Sequence, residues 1–190
     1  MNAIKKIKSV FATGLVLLLV SCNSWLEVDP EDRIMDNTLF KDKEGFMTAL
    51  NGVYSELNKT SLYGRNLTMG MIDVMAQYYN CKFQEHNYSV YANYSYAQKD
   101  FKSTLDKVWS GLYSMIANCN AILEHCGEGN AVLPDQYYRL IKGEALGLRA
   151  MMHLDLLRMF GPIYTEENKG VKCIPYMTRA DRVVQPLLSA

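Results

Sequence analysis

The residues best suited to ligand chemistry lie between positions 80 and 99, where Asn80, Asn87 and Asn93 are interspersed with Tyr88, Tyr91, Tyr94 and Tyr96. A tyrosine offers an apolar ring and a polar tip, and an amide beside it offers both a donor and an acceptor. That pairing fits a ligand whose apolar faces are rimmed by hydroxyls, such as a sugar ring. The same residues also fit a loop packed on a scaffold or against a protein partner, and both readings stand. Hydrolytic chemistry on sugars needs two carboxylates facing one gap. Asp100, Asp106, Glu144 and Asp155 supply carboxylates, but no spacing makes two of them converge, so no catalysis is expected. His86, His125 and His153 are scattered and no C-x-x-C occurs, so neither a metal site nor a cofactor is expected. No glycine-rich phosphate-binding motif is present.

The chain has 190 residues, enough for one ordinary domain. Its 20 basic residues match its 20 acidic ones, which excludes a generally basic nucleic-acid binder. Hydrophobic residues make up 49% of the chain, enough to build a core. Only 12 Gly and 5 Pro occur, too few for a fibre or a disordered linker.

The amino terminus reads as an export signal. Lys5, Lys6 and Lys8 precede an uncharged run from Val10 to Val20, and Leu19, Val20, Ser21 and Cys22 follow in order. That run is too short to span a bilayer, which needs about 20 apolar residues. The end of the segment resembles the lipobox of bacterial lipoproteins, which implies acylation at Cys22 as the first mature residue. Several acyl chains on one cysteine give stable anchoring where a single chain is marginal. The expected organisation is a signal peptide over 1–21, an acidic extended tether over 22–40 and a helical domain over 41–190. Glu27, Asp29, Glu31 and Asp32 make the tether acidic. Removing 1–21 takes away three lysines and no acid, leaving 17 basic and 20 acidic residues. Export permits disulfides among Cys81, Cys119, Cys126 and Cys173. Cys119 and Cys126 on one helix would stand roughly 10 Å apart, too far to bridge. Free, buried thiols are the simplest expectation.

The elements that must position the Tyr/Asn run read as long helices. Phe46, Leu50, Val53 and Leu57 recur at helical spacing, with Lys41 or Asp42 at the start, Glu44 in the first turn and an end near Asn58. A second helix is expected over 67–79, with Ile72, Met75 and Tyr79 on one side and Gly64 and Gly70 weakening its start. Residues 80–99 lack a 3.6-residue period and read as a long loop with at most a short strand or turn. A third helix is expected over 100–125, its apolar face carried by Leu105, Val108, Trp109, Leu112, Ile116 and Leu123, with Trp109 buried. Gly127 suits a left-handed stop. Pro134 and Asp135 open a fourth helix that Gly161 and Pro162 end. About 26 residues make a rod of roughly 40 Å, antiparallel to its predecessor across a short loop.

Two of these helices carry recognisable patterns. Trp109, Tyr113, Ile116, Asn120, Ile122 and Leu123 resemble the W…Y..I…N.IL helix of the SusD/RagB family. Glu144, Ala145, Leu148, Arg149, Ala150, Leu154, Gly161 and Pro162 resemble its EA..LRA….L….G..P run. Phe46, Ala49, Leu50, Gly52, Val53 and Tyr54 resemble its first helix. The resemblance runs from Cys22 to about Pro175 and covers only the family's amino-terminal portion, so the chain is expected to be a fragment. It implies an all-α, tetratricopeptide-like fold of antiparallel hairpins. It implies a non-catalytic lipoprotein of the outer membrane, lipid-anchored and facing the cell surface. The implied partners are a SusC-like TonB-dependent transporter and an oligosaccharide, with no nucleic acid. By location ahead of the W…Y helix, it points to Tyr91, Asn93, Tyr94 and Tyr96 as ligand-binding residues. Trp109, Tyr113, Asn120, Glu144, Arg149 and Gly161 are expected to hold structure. Trp109 and Tyr113 would pack as one ledge on the fourth helix. Glu144 and Arg149, five apart, would each reach a neighbouring helix. The competing reading is a truncated scaffold or interaction piece with no ligand of its own.

Overall fold

A computed structural model describes residues 38–83, 86–129, 132–180 and 187–189. The signal segment, Cys22 and the tether as far as residue 37 lie outside the described residues. Helix α1 spans Lys43–Leu57 and buries Phe46, Leu50, Val53 and Leu57. Asp42 caps it, its carboxylate accepting from the Gly45 amide at 2.9 Å, and Glu44 sits in the first turn where the helix dipole favours an anion. Phe40, placed at the end of the expected tether, is buried against Phe46 and stacked on His125.

The second helix is much shorter than its expected span. Turns run from residue 58 to 70, and α2 covers only Met71–Met75. Gln77 then takes a left-handed conformation (φ 62°), which ends the helical path and turns Tyr78 and Tyr79 outward. Tyr79 therefore does not join Ile72 and Met75 on a packed side. The expected long loop contains a one-turn helix, α3, Ser89–Ala92, and no strand among its described residues.

The two long helices match their sequence periods closely. Helix α4 spans Lys99–Cys126 and α5 spans Asp135–Phe160. They run antiparallel. Tyr138 of α5 donates to the Gly127 carbonyl at 3.1 Å, Arg149 donates to Asn120 Oδ1 at 2.9 Å, and Phe160 meets Trp109 edge-on at 4.9 Å. Partner numbers thus fall along α4 as they rise along α5. Gly127 has φ 57°, where a side chain would be strained, and Lys142 Nζ at 2.6 Å neutralises its carbonyl at the negative end of α4. Helix α1 packs across both, and the core they share includes Phe101, Val108, Leu112, Ile116, Ile141, Met152 and Leu156, all fully buried.

Helix α5 is apolar on its outer side as well. Between residues 139 and 158 its charged side chains bond to the rest of the chain: Lys142 to Gly127, Glu144 to Tyr54, Arg149 to Asn120 and Asp155 to Tyr63. Leu140, Leu146, Met151 and Leu154 face outward instead. A helix apolar on both sides normally has neighbours on both.

Past α5 the chain leaves through Gly161, where a Cβ would fall 2.5 Å from the Leu157 carbonyl oxygen and 3.4 Å from Cys173 Sγ, so only glycine fits. Strand β1, Lys172–Pro175, then pairs antiparallel with β2, Leu187–Ser189, with Ile174 opposite Leu188 and Pro175 opposite Leu187. The fold is thus mostly helical with one small two-stranded addition. Among the described residues no helix is long and apolar enough to cross a membrane.

Candidate functional site

The Tyr/Asn segment is held against the amino-terminal half of α4. Phe101, fully buried, anchors it: the Tyr91 ring meets Phe101 edge-on at 5.0 Å, and the Tyr96 ring stacks on it at 4.8 Å. Thr104 gives its hydroxyl proton to the Asp100 carbonyl at 2.9 Å, so Tyr91 must be the donor in its 2.9 Å bond to Thr104 Oγ1. Beneath the loop Val74, Cys81 and Ala92 form a small separate core, with Tyr88 and Tyr91 packed on it.

Two non-glycine residues with positive φ tie the loop to α2. Tyr94 (φ 51°) donates its hydroxyl to the Met75 carbonyl at 2.5 Å. Gln77 donates from Nε2 to the Ala92 carbonyl at 3.1 Å and to Tyr94 Oη at 3.3 Å. Asn93 donates to the Lys82 carbonyl at 3.2 Å. Of the four residues expected to bind ligand, three therefore commit polar atoms to holding the loop. Tyr96 differs: its ring is 53% exposed and no hydrogen bond to its hydroxyl forms among the described residues.

The open aromatic surface lies partly elsewhere. Tyr78 is 77% exposed and Phe83 68%, and Tyr79 is also exposed. Their neighbourhood to the loop follows from the Gln77 and Asn93 bonds, which join residues 75–83 to residues 92–94. None of the three was expected from sequence to bind ligand, and Tyr79 was placed on a packed helix face. The available signal was the Tyr78-Tyr79 pair just ahead of the Tyr/Asn run, hidden because a helix was expected to continue through Tyr79.

The motif residues make contacts within the chain. Trp109 lies 4.9 Å from the Tyr113 ring and 4.9 Å from Phe160, the expected ledge against α5, although Trp109 is half-buried rather than buried. Glu144 accepts from the Tyr54 hydroxyl of α1 at 2.9 Å, and Arg149 reaches Asn120 of α4. Asn120 is fully buried and does more than pack: its Nδ2 donates to the carbonyls of Met177 (3.1 Å) and Arg179 (3.2 Å). Tyr113 donates to the Pro175 carbonyl at 2.8 Å, and burial pushes its phenol up to about 12, so it stays a donor.

Two of the four candidate acids, Glu144 and Asp155, are engaged within the chain, and two of the thiols are quiet. Asp155 accepts from the Tyr63 hydroxyl at 2.7 Å and pairs with Arg158 at 3.3 Å; burial, then the neighbouring carboxylate, pushes the Tyr63 phenol upward. Glu144 is bonded to Tyr54, whose phenol is raised by burial and then by that bond. Burial raises the Cys119 thiol to about 11 against the opposing pull of Arg149, and it raises Cys126 as well. Both are thiols at neutral pH, poor nucleophiles and poor metal ligands. Cys81, Cys119, Cys126 and Cys173 form no disulfide. Among the described residues no group of three His, Cys, Asp or Glu could hold a metal ion.

With the geometry in view, the comparisons with known proteins fall into one group. A SusD-like family described as "Starch-binding associating with outer membrane" matches residues 24–185. The SusD-like protein P38 of Formosa agariphila is 28% identical over 203 aligned positions, covering 98% of this chain and 35% of that protein. The SusD-like proteins P25 and P2 of the same organism are each 26% identical, covering 80% and 84% of this chain and 30% of each relative. This chain thus spans about a third of the length of the curated relatives it matches. No solved structure matches it significantly. The family match covers most of the sequence and agrees with the helical architecture, and the chain belongs to the SusD-like family.

Proposed function

We propose that this chain is the amino-terminal portion of a non-catalytic, glycan-binding outer-membrane lipoprotein, acylated at Cys22 and displayed at the cell surface. It works beside a SusC-like TonB-dependent transporter in oligosaccharide uptake. The observation that carries the glycan reading is the exposure of three rings, Tyr78, Phe83 and Tyr96, on segments that the Gln77 and Asn93 bonds tie together, in a chain of a family described as starch-binding. Their apolar faces suit the apolar faces of pyranose rings, and Asn93 and Tyr94 tie the loop that carries Tyr96 to the segment that carries Tyr78 and Phe83. The tetratricopeptide-like scaffold, the transporter and the lipid anchor rest on the family resemblance and the lipobox.

Rings this exposed leave most of a sugar wet, so binding by these 190 residues alone is expected in the millimolar range at best. A panel of oligosaccharides, starch fragments included, titrated against the chain and its Tyr78→Ala, Phe83→Ala, Tyr96→Ala variant tests the reading. Loss of binding in a folded variant supports it, and equal binding by both removes these rings from the site. The scaffold reading draws on a specific observation too: Tyr91, Asn93 and Tyr94 spend their polar atoms within the chain. Absence of any glycan binding would favour it. Anchoring has its own check, since Cys22→Ala is expected to leave an unacylated, soluble protein.

A further inference from the structure

The segment after β1 crosses the seam between α4 and α5, and what holds it is unusual in kind. Five of its main-chain atoms are bonded by side chains of the two helices. The Pro175 carbonyl accepts from Tyr113, and the Met177 and Arg179 carbonyls accept from Asn120. The Ala180 amide donates to Glu124 Oε1 at 2.8 Å, and the Met177 amide donates to His153 Nε2 at 3.0 Å. Arg149 braces the centre by donating to Asn120 Oδ1, which orients the Asn120 amide so that its NH2 faces the strap.

His153 is the conditional member. Its Nδ1 lies 2.8 Å from the Arg149 carbonyl, an acceptor only, so Nδ1 carries the proton. Its Nε2 faces the Met177 N–H, a donor only, so Nε2 must be bare. The ring is buried, and both nitrogens are committed. A second proton would set two donors head to head at Nε2.

We propose that residues 175–180 form a latch, locked over the α4–α5 seam while His153 is neutral and released when His153 takes up a proton at Nε2. The groups facing the ring come from α5, α4 and the strap, and of these the Arg149 charge opposes that proton. From α5 there is the Arg149 guanidinium one turn away. From α4 there is the Tyr113 ring, edge-on at 6.3 Å, and from the strap the Tyr176 ring at 4.4 Å. Among the described residues no carboxylate contacts the ring to stabilise an imidazolium. Burial lowers the His153 pKa below its usual 6.5; the bond to the Arg149 carbonyl works against that shift, and the Arg149 charge adds to it. A base depressed in the folded state keeps its full stabilising effect above its unfolded pKa and loses it as pH falls through the range below. The latch is therefore closed at neutral pH and opens on acidification, while the α1, α4 and α5 core, which does not involve His153 Nε2, stays folded.

Hydrogen exchange read by mass spectrometry at pH 7.5 and pH 5.0, corrected for the intrinsic chemical rate, tests this on the intact chain. Peptides over residues 172–180 are expected to lose at least tenfold protection at pH 5.0, while peptides over 108–122 change less than twofold. His153→Gln retains an uncharged acceptor near Nε2 and is expected to make strap protection independent of pH. Three results would each overturn the proposal: equal strap protection at both pH values, loss of protection in His153→Gln equal to that of the unaltered chain, or strap and α4 opening together. Should His153→Gln not fold, the His153 ring is titrated by NMR in the unaltered chain. A ring midpoint that coincides with strap opening supports the latch, and separate midpoints end it.

Discussion

Asn120 and Asn93, or Tyr113 and Tyr96, are the same residue types in two regions with opposite surroundings. At the α4–α5 seam Asn120 is sealed from solvent, Tyr113 is half-buried, and their side chains bond to the strap backbone or to Arg149. In the loop ahead of α4, amide and hydroxyl groups bond locally, while the aromatic carbon of Tyr78, Phe83 and Tyr96 faces water. The seam stabilises through satisfied polar groups in a dry setting, where an unpaired one is costly. The loop leaves apolar surface uncovered, which costs stability and is typical of a binding surface. Residue type alone does not separate the two; burial does.

Phe101 joins the regions, and altering it is expected to have the largest effect. It is fully buried in α4 and carries both Tyr91 and Tyr96. Phe101→Ala should cost about 3–5 kcal/mol in denaturant unfolding and scatter the loop rings as well. A cost under about 1 kcal/mol would mean that the loop does not rest on this ring. Next is Asn120→Ala, confined to the seam. It strips the Met177 and Arg179 carbonyls of their donor and Arg149 of its acceptor. We expect about 2–3 kcal/mol of destabilisation, with no change in loop-ring exposure by fluorescence quenching. The smallest effect is expected on the outer side of α5. Leu146→Glu with Leu154→Glu alters exposed positions, so stability should stay within about 0.5 kcal/mol while solubility rises. A marked loss of stability would show that this face is already covered in solution.

The long helices were legible because they are repetitive. Residues 100–125 were expected and Lys99–Cys126 found, since a 3.6-residue period sustained for seven turns and closed by Gly127 leaves little choice. Asp42 and Asn58 flank α1, with Asp42 capping it, while Pro134 and Gly161 flank α5 and Asp135 sits in its first turn. The second helix was misjudged because its apolar spacing continues to Tyr79, whereas the left-handed turn at Gln77 depends on contacts with Ala92 and Tyr94 that no local pattern encodes. The strap and the β1–β2 pair escaped for the same reason: Asn120 and Met177 are 57 residues apart, and their bond involves a backbone carbonyl that any residue supplies. At the candidate site the Tyr/Asn composition singled out residues 80–99. It did not distinguish Tyr94, whose hydroxyl is tied to Met75, from Tyr96, whose ring is open.

The division of labour between seam and loop is tested most directly by measuring stability and glycan affinity on one variant, Tyr78→Ala, Phe83→Ala, Tyr96→Ala. These rings are more than half exposed, so their removal should shift the unfolding free energy by less than about 1 kcal/mol. Saturation-transfer NMR against the best oligosaccharide of the panel should lose its signal, a fall in affinity of about tenfold or more. An unchanged affinity, or a collapse in stability that accompanies the loss of binding, would contradict the assignment of binding to the loop and stability to the seam.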